Sequence, residues 1–426
     1  MCRVFGSALL MVMLASCATN PVTGKAELDL MGETQERALG KQLYPACIQD
    51  SLGPIEDPPL AALVQEVGRK LAAVSHRPQL AYEFTPVNDP TVNAFALPGG
   101  KICITRGLLV RLESEDGLAA VLGHEIGHVT ARHSVAAYNR QVLATLFLAT
   151  SAAVLEVKEV KGRELIWVGG LIGAQMLLAR YSRDQERQSD ALGLDYAVKA
   201  GFSPRGMVEI QRILLALGKE TPTLVERLFA SHPHSAERLA TAERLLAQLP
   251  PEVQNRPVRK EELLKATAHL RQVQPAWEKA AEGRVLLAQD QAAKALAPLG
   301  RARDLAPKEG VIRTLLALAL WENEKKSEAL EEAFAGAKLA PRVFLSRLVA
   351  GIFSVDIDAL ASLGELAAAE EILPGTAPVP FFQGRAYEKL GQRQKAVDAY
   401  REALHRDPEG KVGQAAASRL EVLGVR

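Results

Sequence analysis

His124-Glu125-Ile126-Gly127-His128 is the stretch that decides how the first half of this chain folds. On a helix its two histidines lie one turn apart on the same face, with the carboxylate of Glu125 beside them. Such an imidazole pair is the typical ligand pair of a catalytic zinc ion, and the carboxylate is the typical general base of a zinc hydrolase. The pattern therefore predicts a metal site on a helix.

The residues around this motif favour a helix. Ser114 or Asp116 can cap its start, and residues 118–122 place leucine and valine side chains at helical spacing ahead of the motif. Gly123 and Gly127 lie inside the same helix, where each glycine costs about 1 kcal/mol relative to alanine. We therefore expect another part of the chain to pack closely against that face.

Two histidines leave a metal site incomplete, because catalytic zinc usually takes three protein ligands and leaves the fourth position to water. The metzincin pattern requires a further histidine at the position of Ser134, so this class is excluded. His133 is rotated away from the face of His124 and His128. It is interpreted as a group that supports a ligand or as a surface side chain.

The segment from Tyr181 to Gly193 supplies candidates for the third ligand. It is consistent with a second helix that starts near Ser182, with Glu186 and Asp190 on one face. One carboxylate would suit the metal, and the other would accept the free ring N–H of a ligand histidine. Taken alone, however, the run Arg-Asp-Gln-Glu-Arg is typical of a solvated helix face, and that interpretation would be preferred.

The order of these motifs resembles the HtpX-like and CAAX-protease-like family of zinc metallopeptidases. In that family the His-Glu-Ile-Gly-His motif is followed by Ser-Arg-x-x-Glu-x-x-x-Asp-x-x-Gly, which stands here at residues 182–193. Residues 93–109 and Ser231-His232-Pro233 with Arg238 are also similar to family segments, in the same order. The resemblance covers about residues 25 to 245.

This resemblance implies a fold and a set of site residues. The fold would be an α+β gluzincin-type domain, mainly α with a small β-sheet, that binds one Zn²⁺. Its ligands would be His124, His128 and Glu186. Glu125 would be the general base, and Asp190 would orient His124.

The family pattern also implies roles for the downstream residues. Arg238 would help to hold the tetrahedral intermediate, although His232 and Tyr181 are alternative hydrogen-bond donors. In the periplasmic lipoprotein branch of the family, the BepA-like proteins, the histidine at the position of His232 can occupy the fourth zinc position. His232 would then keep the enzyme latent. The alternative is that residues 231–235, including His234, form only a polar turn before a helix near Ala236.

Upstream of the zinc-binding motif, the sequence predicts a small sheet. Residues 82–87, 93–96 and 102–105 have the pattern of short strands, separated by Asn-Asp-Pro and Pro-Gly-Gly turns. An extended substrate could add to a free edge of this sheet by main-chain hydrogen bonds. Such binding would recognise the backbone of a substrate rather than its sequence.

The N-terminus resembles a bacterial lipoprotein signal. An apolar run ends in Leu14-Ala15-Ser16-Cys17, so residues 1–16 would be removed and Cys17 would carry lipid. Residues 17–40 would form a lipid-anchored tether. Ala18 lacks the aspartate associated with inner-membrane retention, which favours the periplasmic face of the outer membrane of a Gram-negative bacterium. The alternative is an ordinary signal peptide with a coincidental cysteine.

The remaining cysteines and the apolar segment after the motif leave alternatives open. Cys47 and Cys103 would either pair in an oxidising compartment or stay as buried free thiols. Residues 142–155 and 165–179 form two apolar runs, each shorter than the roughly 20 residues that a spanning helix needs. They predict either a buried or lid-like helical hairpin or a surface that contacts membrane.

A repeat organises the C-terminal part of the chain. The prolines that mark it are separated by 34, 33 and 34 residues, the period of tetratricopeptide helical pairs, and they are Pro307, Pro341, Pro374 and Pro408. The last unit matches the repeat pattern best, whereas the two middle units keep little beyond Ala329 and Ala369. We predict an α-solenoid of helical pairs, with a plain helical bundle as the alternative.

Length and composition agree with several domains. A chain of 426 residues with 48% hydrophobic residues can build two or three cores. A net charge of +1 without a basic stripe argues against nucleic-acid binding. The predicted divisions are a signal peptide (1–16), a tether (17–40), a metallopeptidase domain (41–250), a linker (251–261) and a repeat domain (262–426).

The resemblance implies a zinc endopeptidase that degrades misfolded or stalled outer-membrane proteins. Its repeats would dock these clients or the outer-membrane assembly machinery. The competing hypothesis is a periplasmic chaperone or assembly factor that acts through its repeats and has a silent or structural zinc site. Glu125 argues against that hypothesis, because a structural site needs no general base.

Overall fold

The computed structural model describes residues 17–139, 181–220, 222–232 and 236–425. They form two units, the first within residues 17–44, 57–139 and 181–268, and the second within 45–56 and 269–425. No helix within these ranges is both long and apolar enough to cross a membrane. Three predictions lie outside the described residues: the signal segment 1–16, the apolar runs of 142–179 and the place of His234.

The first unit contains two small sheets. Strand β1 (Cys17–Thr19) pairs antiparallel with β2 (Ala26–Leu28). The second sheet has the order β3-β5-β4 and consists of β3 (Glu83–Val87), β4 (Ala94–Leu97) and β5 (Lys101–Thr105). The central strand β5 is buried throughout, runs parallel to β3 and antiparallel to β4, and leaves β4 at an edge. Each of the three strands begins within one residue of its predicted start.

Helices make up most of the rest of this part of the chain. Those found among the described residues up to 272 are α1 (Glu33–Asp50), α2 (Pro58–Ala73), α3 (Arg106–Leu109), α4 (Glu115–Thr130), α5 (Arg183–Lys199), α6 (Arg205–Glu220), α7 (Pro222–Ser231), α8 (Ala236–Gln248), α9 (Pro251–Gln254), α10 (Glu261–Ala266) and α11 (Ala268–Gln272). Residues 133–139 are also helical. This mainly helical unit with a small sheet confirms the predicted fold class.

Helix α4, which carries the His-Glu-Ile-Gly-His motif, is the buried centre of the first unit. Every residue from Asp116 to Thr130 is buried. Ser114 caps the helix, because its side chain accepts a hydrogen bond from the backbone N–H of Gly117 at 2.9 Å. Asp116, the other predicted cap, instead accepts a hydrogen bond from the backbone N–H of Ser203 at 2.6 Å. This bond holds the start of α4 against the segment before α6.

Glycines allow α4 and α5 to cross at close range. A Cβ atom on Gly123 would lie 2.9 Å from the carbonyl oxygen of Gly193, and one on Gly127 would lie 3.0 Å from the Cα of Ser189. A Cβ atom on Gly193 would lie 2.7 Å from the backbone nitrogen of His124. Close packing against this face of α4 was predicted, and α5 is the element that provides it.

The N-terminal hairpin is fastened to the C-terminal end of α4. The side-chain amide of Asn20 donates to the carbonyl oxygen of Ala131 at 3.2 Å. Arg132, whose φ of 56° turns the chain sharply after the helix, contacts Asp29 at 2.8 Å and the buried Glu36 at 3.0 Å. The chain that follows Cys17 therefore packs on the helix that carries the motif.

The second unit is a succession of helical pairs. Within residues 274–425, all of them described, these are α12 (Gln274–Ala288) with α13 (Ala292–Leu305), α14 (Gly310–Glu322) with α15 (Lys326–Leu339), α16 (Phe344–Ser354) with α17 (Ala359–Ile372) and α18 (Pro378–Lys389) with α19 (Arg393–Arg406), followed by α20 (Lys411–Val422). The prolines of the predicted repeat each come two residues after a pair ends. The prediction of helical repeats is confirmed.

Small residues at the helix crossings explain why the degenerate middle units also form pairs. A glycine in every pair faces a larger side chain of its partner helix at a distance that leaves no room for a Cβ atom: Gly283 faces Leu299, Gly336 faces Thr314, Gly351 faces Leu366 and Gly384 faces Tyr400. Ala329 and Ala369 are fully buried at their crossings. Close approach of the helices, rather than the full repeat consensus, is what the middle units retain.

Both cysteines left open by the sequence, Cys47 and Cys103, are buried, and neither forms a disulfide bond. Burial raises the pKa of the Cys47 thiol to about 12, because an apolar environment disfavours the thiolate. Cys47 therefore lacks the lowered pKa of a reactive thiol.

Candidate metal centre

Four side chains from three places in the chain converge beside α4. His124 and His128 come from one face of α4, Glu186 from the first turn of α5, and His232 from the position directly after α7. One donor atom from each lies within 4.8 Å of every other, and all four residues are buried. The structure thus brings together the three predicted ligands and the predicted fourth ligand.

The separations of these donor atoms fit a single metal ion. Ligands about 2.0–2.1 Å from a tetrahedral ion lie roughly 3.3 Å from one another. The His124 and His128 Nε2 atoms are 3.0 Å apart, and His128 Nε2 is 3.3 Å from Glu186 Oε1. His232 Nδ1 is 3.0 Å from Glu186 Oε1 and 3.4 Å from His124 Nε2. Three imidazole nitrogens and a carboxylate form a donor set that suits zinc.

Each motif histidine is held through its other ring nitrogen. His124 Nδ1 donates to Asp190 Oδ1 at 2.9 Å, which fixes the imidazole so that Nε2 faces the cluster. His128 Nδ1 lies 2.8 Å from His133 Nδ1, and His133 Nε2 lies 3.0 Å from Gln188 Oε1. His133 is therefore a buried support of His128 rather than a surface group. The sequence contained no signal that distinguished Gln188 from other polar residues of α5.

Arg238 of α8 is joined to both acidic residues. Its Nε and Nη2 atoms bind Asp190 as a bidentate pair at 2.8 and 2.7 Å, and its Nη1 lies 2.8 Å from Glu186 Oε2. Burial alone would raise the pKa of Asp190, but the charge of Arg238 and the bond from His124 outweigh it and lower the pKa to about 2. The carboxylate is thus held in its ionised form.

Residues 58–246 of the chain match the model of peptidase family M48. The chain carries a peptidase family M48 domain. The matched range holds all of the converging residues and both of the helices that cross at the glycines. The resemblance inferred from the motifs is therefore confirmed.

Two curated relatives illustrate what part of this chain is similar to. The mitochondrial metalloendopeptidase OMA1 of Schizosaccharomyces pombe is 37% identical over 194 residues, which are 45% of this chain and 54% of the relative. The beta-barrel assembly-enhancing protease of Escherichia coli is 27% identical over 241 residues, which are 56% of this chain and 49% of the relative. The chain thus spans about half the length of the curated relatives it matches.

Among solved structures, a thermophilic tetratricopeptide protein of Thermus thermophilus aligns with 35% of this chain and 83% of its own, at 22% identity and a TM-score of 0.31. A similarity this low adds nothing to the helical pairs seen directly in the second unit. The fold of that unit follows from its own helices.

Burial and neighbouring charges set the protonation states of three side chains at the metal centre of the M48 domain. It raises the pKa of Glu125, because the charged carboxylate is disfavoured there. It lowers the pKa of His128 well below its usual value, which keeps the imidazole neutral and able to bind a cation. Burial would also raise the pKa of Glu186, but the neighbouring histidines outweigh this effect and lower it.

Glu125 lies beside the converging ligands without being one of them. Its Oε1 atom is 4.0 Å from His232 Nε2. Its Oε2 atom is buried and has no hydrogen-bond partner among the residues that the structure describes. A buried carboxylate oxygen left without a partner is free to bond to a water molecule or a substrate group.

Tyr181 also packs on the M48 site, against His128. Its ring stacks on that of His128 with centroids 3.9 Å apart, and its hydroxyl lies 3.1 Å from Ser134 Oγ. Burial raises the pKa of the phenol. The stacking and the contact with Ser134 indicate a role in holding the His128 ring.

Proposed function

We propose that this chain is a zinc-dependent endopeptidase. The observation that carries the proposal is the convergence of His124, His128 and Glu186 at the spacing of a single ion, with the unpartnered carboxylate oxygen of Glu125 next to them in the described structure. The M48 domain and the names of the two relatives, a metalloendopeptidase and a protease, support it.

The side chains would divide the work as follows. A zinc ion held by His124, His128 and Glu186 would polarise the scissile carbonyl and lower the pKa of a bound water. Glu125 would take a proton from the attacking water and return it to the leaving amine. Asp190 would hold His124 in the correct tautomer. Arg238 would position the two carboxylates, since it contacts both Asp190 and Glu186.

We further propose that His232 holds the enzyme in a latent form. Its Nδ1 atom faces the same point as the three other donors, so it competes for the position that a hydrolytic water needs. His232 is 4% exposed and anchored through its backbone N–H to the carbonyl of Leu228 at 2.7 Å. Displacement of His232 would free the position.

The experiment that tests both proposals measures cleavage of casein by the mature chain and by its His232→Ala variant, with and without a zinc chelator. We expect the variant to cleave at least about tenfold faster, because the latent form no longer dominates the population. Chelation should abolish cleavage and added zinc should restore it. His269→Ala, which changes an exposed histidine of the second unit, is the matched control and should leave the rate unchanged.

Equal rates for the native chain and His232→Ala would overturn latency but leave the peptidase assignment intact. Cleavage that persists at full rate after metal removal would contradict the zinc mechanism. No cleavage by either form would favour the second candidate, a chaperone or assembly factor that uses its helical repeats to bind unfolded protein. In that case the chain should hold unfolded casein in solution without cutting it.

We propose outer-membrane proteins in the periplasm as the substrates, degraded when misfolded or stalled, with the helical repeats as docking surface. The name of the Escherichia coli relative, which refers to beta-barrel assembly, supports this substrate class.

The sequence before Cys17 supports attachment to the membrane by lipid. Mass spectrometry of the N-terminal peptide should show acylated Cys17, and Cys17→Ser should move the protein to the soluble fraction.

A further inference from the structure

An apolar cavity opens beside Glu125 and His124. Neither metal binding nor proton transfer by Glu125 requires a cavity at this place. The space between its walls that no protein atom occupies is about 470 Å³, including open solvent at its mouth. Its apolar wall comes mainly from α4, α6 and α7 and is formed by Val121, Met207, Ile210, Leu214, Leu228 and Phe229, whereas polar and charged side chains of the metal centre line the rest. A cavity of this composition, directly beside the reacting groups, suits a side chain of the substrate.

One lining residue does not fit an apolar wall. Met207, Ile210, Gln211 and Leu214 stand at helical spacing along α6 and share the face that lines the cavity. Gln211 occupies a position in this stripe where an aliphatic side chain would pack without burying a polar group. Its side chain is 2% exposed, and its Oε1 atom has no hydrogen-bond partner within the described ranges.

An unpaired buried amide oxygen destabilises a fold, so such an oxygen in a native structure needs an explanation. Buried polar oxygens are usually paired, as in the nearby Glu209. Its two oxygens accept hydrogen bonds from the backbone N–H of Glu113 at 2.9 Å and from Ser114 Oγ at 2.5 Å. The Gln211 oxygen has no such donor within the described structure, and the residue lines the cavity. A group that enters the cavity can supply the missing partner.

We propose that this cavity is a specificity pocket for a substrate side chain that is apolar along its length and ends in a neutral hydrogen-bonding group, with tyrosine as the preferred residue. The inference rests on the proposed peptidase function. The apolar walls would cover the aromatic ring, and the tyrosine hydroxyl can both donate and accept, so it satisfies the amide of Gln211. A lysine would bring its charge next to Arg238, which also lines the cavity.

The test compares two peptides that differ only by tyrosine or phenylalanine next to the cleaved bond, chosen from the sites mapped in casein. The enzyme is whichever of the native chain and His232→Ala cleaves casein. We expect kcat/KM to favour tyrosine by about tenfold, because a site built around a hydrogen bond discriminates against the analogue that lacks it. Gln211→Leu should bring the ratio to about one.

Arg212→Leu is the matched control. It introduces the same residue one position along α6, where the native side chain is exposed and paired with Glu243 at 2.7 Å. Its tyrosine preference should equal that of the parent enzyme. A parent enzyme without preference, or a preference that survives in Gln211→Leu, would overturn the proposal.

A binding measurement separates this inference from the proposed function. The same two peptides are titrated into the zinc-loaded Glu125→Gln chain, with and without Gln211→Leu. Tighter binding of the tyrosine peptide that depends on Gln211 supports the pocket, even if no form of the chain cleaves any substrate. Equal binding of both peptides in both chains counts against the pocket, whatever the outcome with casein.

Discussion

Glu125→Gln is expected to reduce the rate of peptide hydrolysis by a factor of about 10² to 10⁴, the usual contribution of a positioned general base. Glutamine keeps the shape of the side chain but cannot take a proton. Because the other buried donors converge without Glu125, zinc content should stay at one ion per chain. Casein cleavage and metal content, measured on the same samples, check the two parts.

The substitution should not weaken the fold. Glu125 is buried with one oxygen unpartnered in the described structure, and burial raises its pKa, so a neutral amide removes an unfavourable buried charge. The thermal unfolding midpoint should stay level or rise. Glu113→Gln, at an exposed position near the start of α4, serves as control and should keep full activity. Activity that survives in Glu125→Gln would remove this residue from the mechanism.

Gly193→Ala should reduce peptidase activity and zinc binding although it changes no side chain of the metal centre. The added Cβ would lie 2.7 Å from the nitrogen of His124 and 2.9 Å from the carbonyl carbon of Gly123, which are backbone atoms and cannot rotate away. Helix α5 must therefore shift and move Glu186 and Asp190 away from the histidines. A displacement of about 1 Å in a catalytic arrangement costs on the order of a hundredfold in rate.

The free energy of unfolding should fall by about 1–3 kcal/mol, as in other overpacked cores. The measurements are casein cleavage, zinc affinity and the unfolding transition. Gly300→Ala is the control, because this glycine lies inside α13 with no atom within 4 Å of the added Cβ. There the same change should be neutral or stabilise by up to about 1 kcal/mol. A Gly193→Ala chain with native zinc affinity would show that zinc binding does not require the close crossing of α4 and α5.

Features with a local cause could be predicted from the sequence. The cap at Ser114, the start of α5 after Ser182 and the close packing at Gly123 each depend on a few neighbouring residues. The proline period was sufficient to place the helical pairs. Periodicity and turn chemistry act within one or two turns of chain, which is why they can be detected without the fold.

Features that depend on distant contacts could not be predicted. Nothing in the sequence joins His133 to Gln188, or shows that Gln211 lacks a partner in the described structure, because each fact depends on how separate helices face one another. Arg238 illustrates the same limit. The family pattern implies a role at the reaction intermediate, and only the structure shows that its guanidinium also contacts Asp190 and Glu186.

The N-terminal hairpin would fix the distance between the motif helix and a lipid carried by Cys17. Asn20 is bonded to the end of the motif helix at Ala131, and it lies only three positions after Cys17. At about 3.3 Å per residue in a strand, a lipid on Cys17 would lie roughly 10 Å from that attachment point. The active centre would be held at a fixed, short height above the bilayer. In a chain that carries lipid on Cys17, the metal centre would therefore meet its clients at the membrane surface.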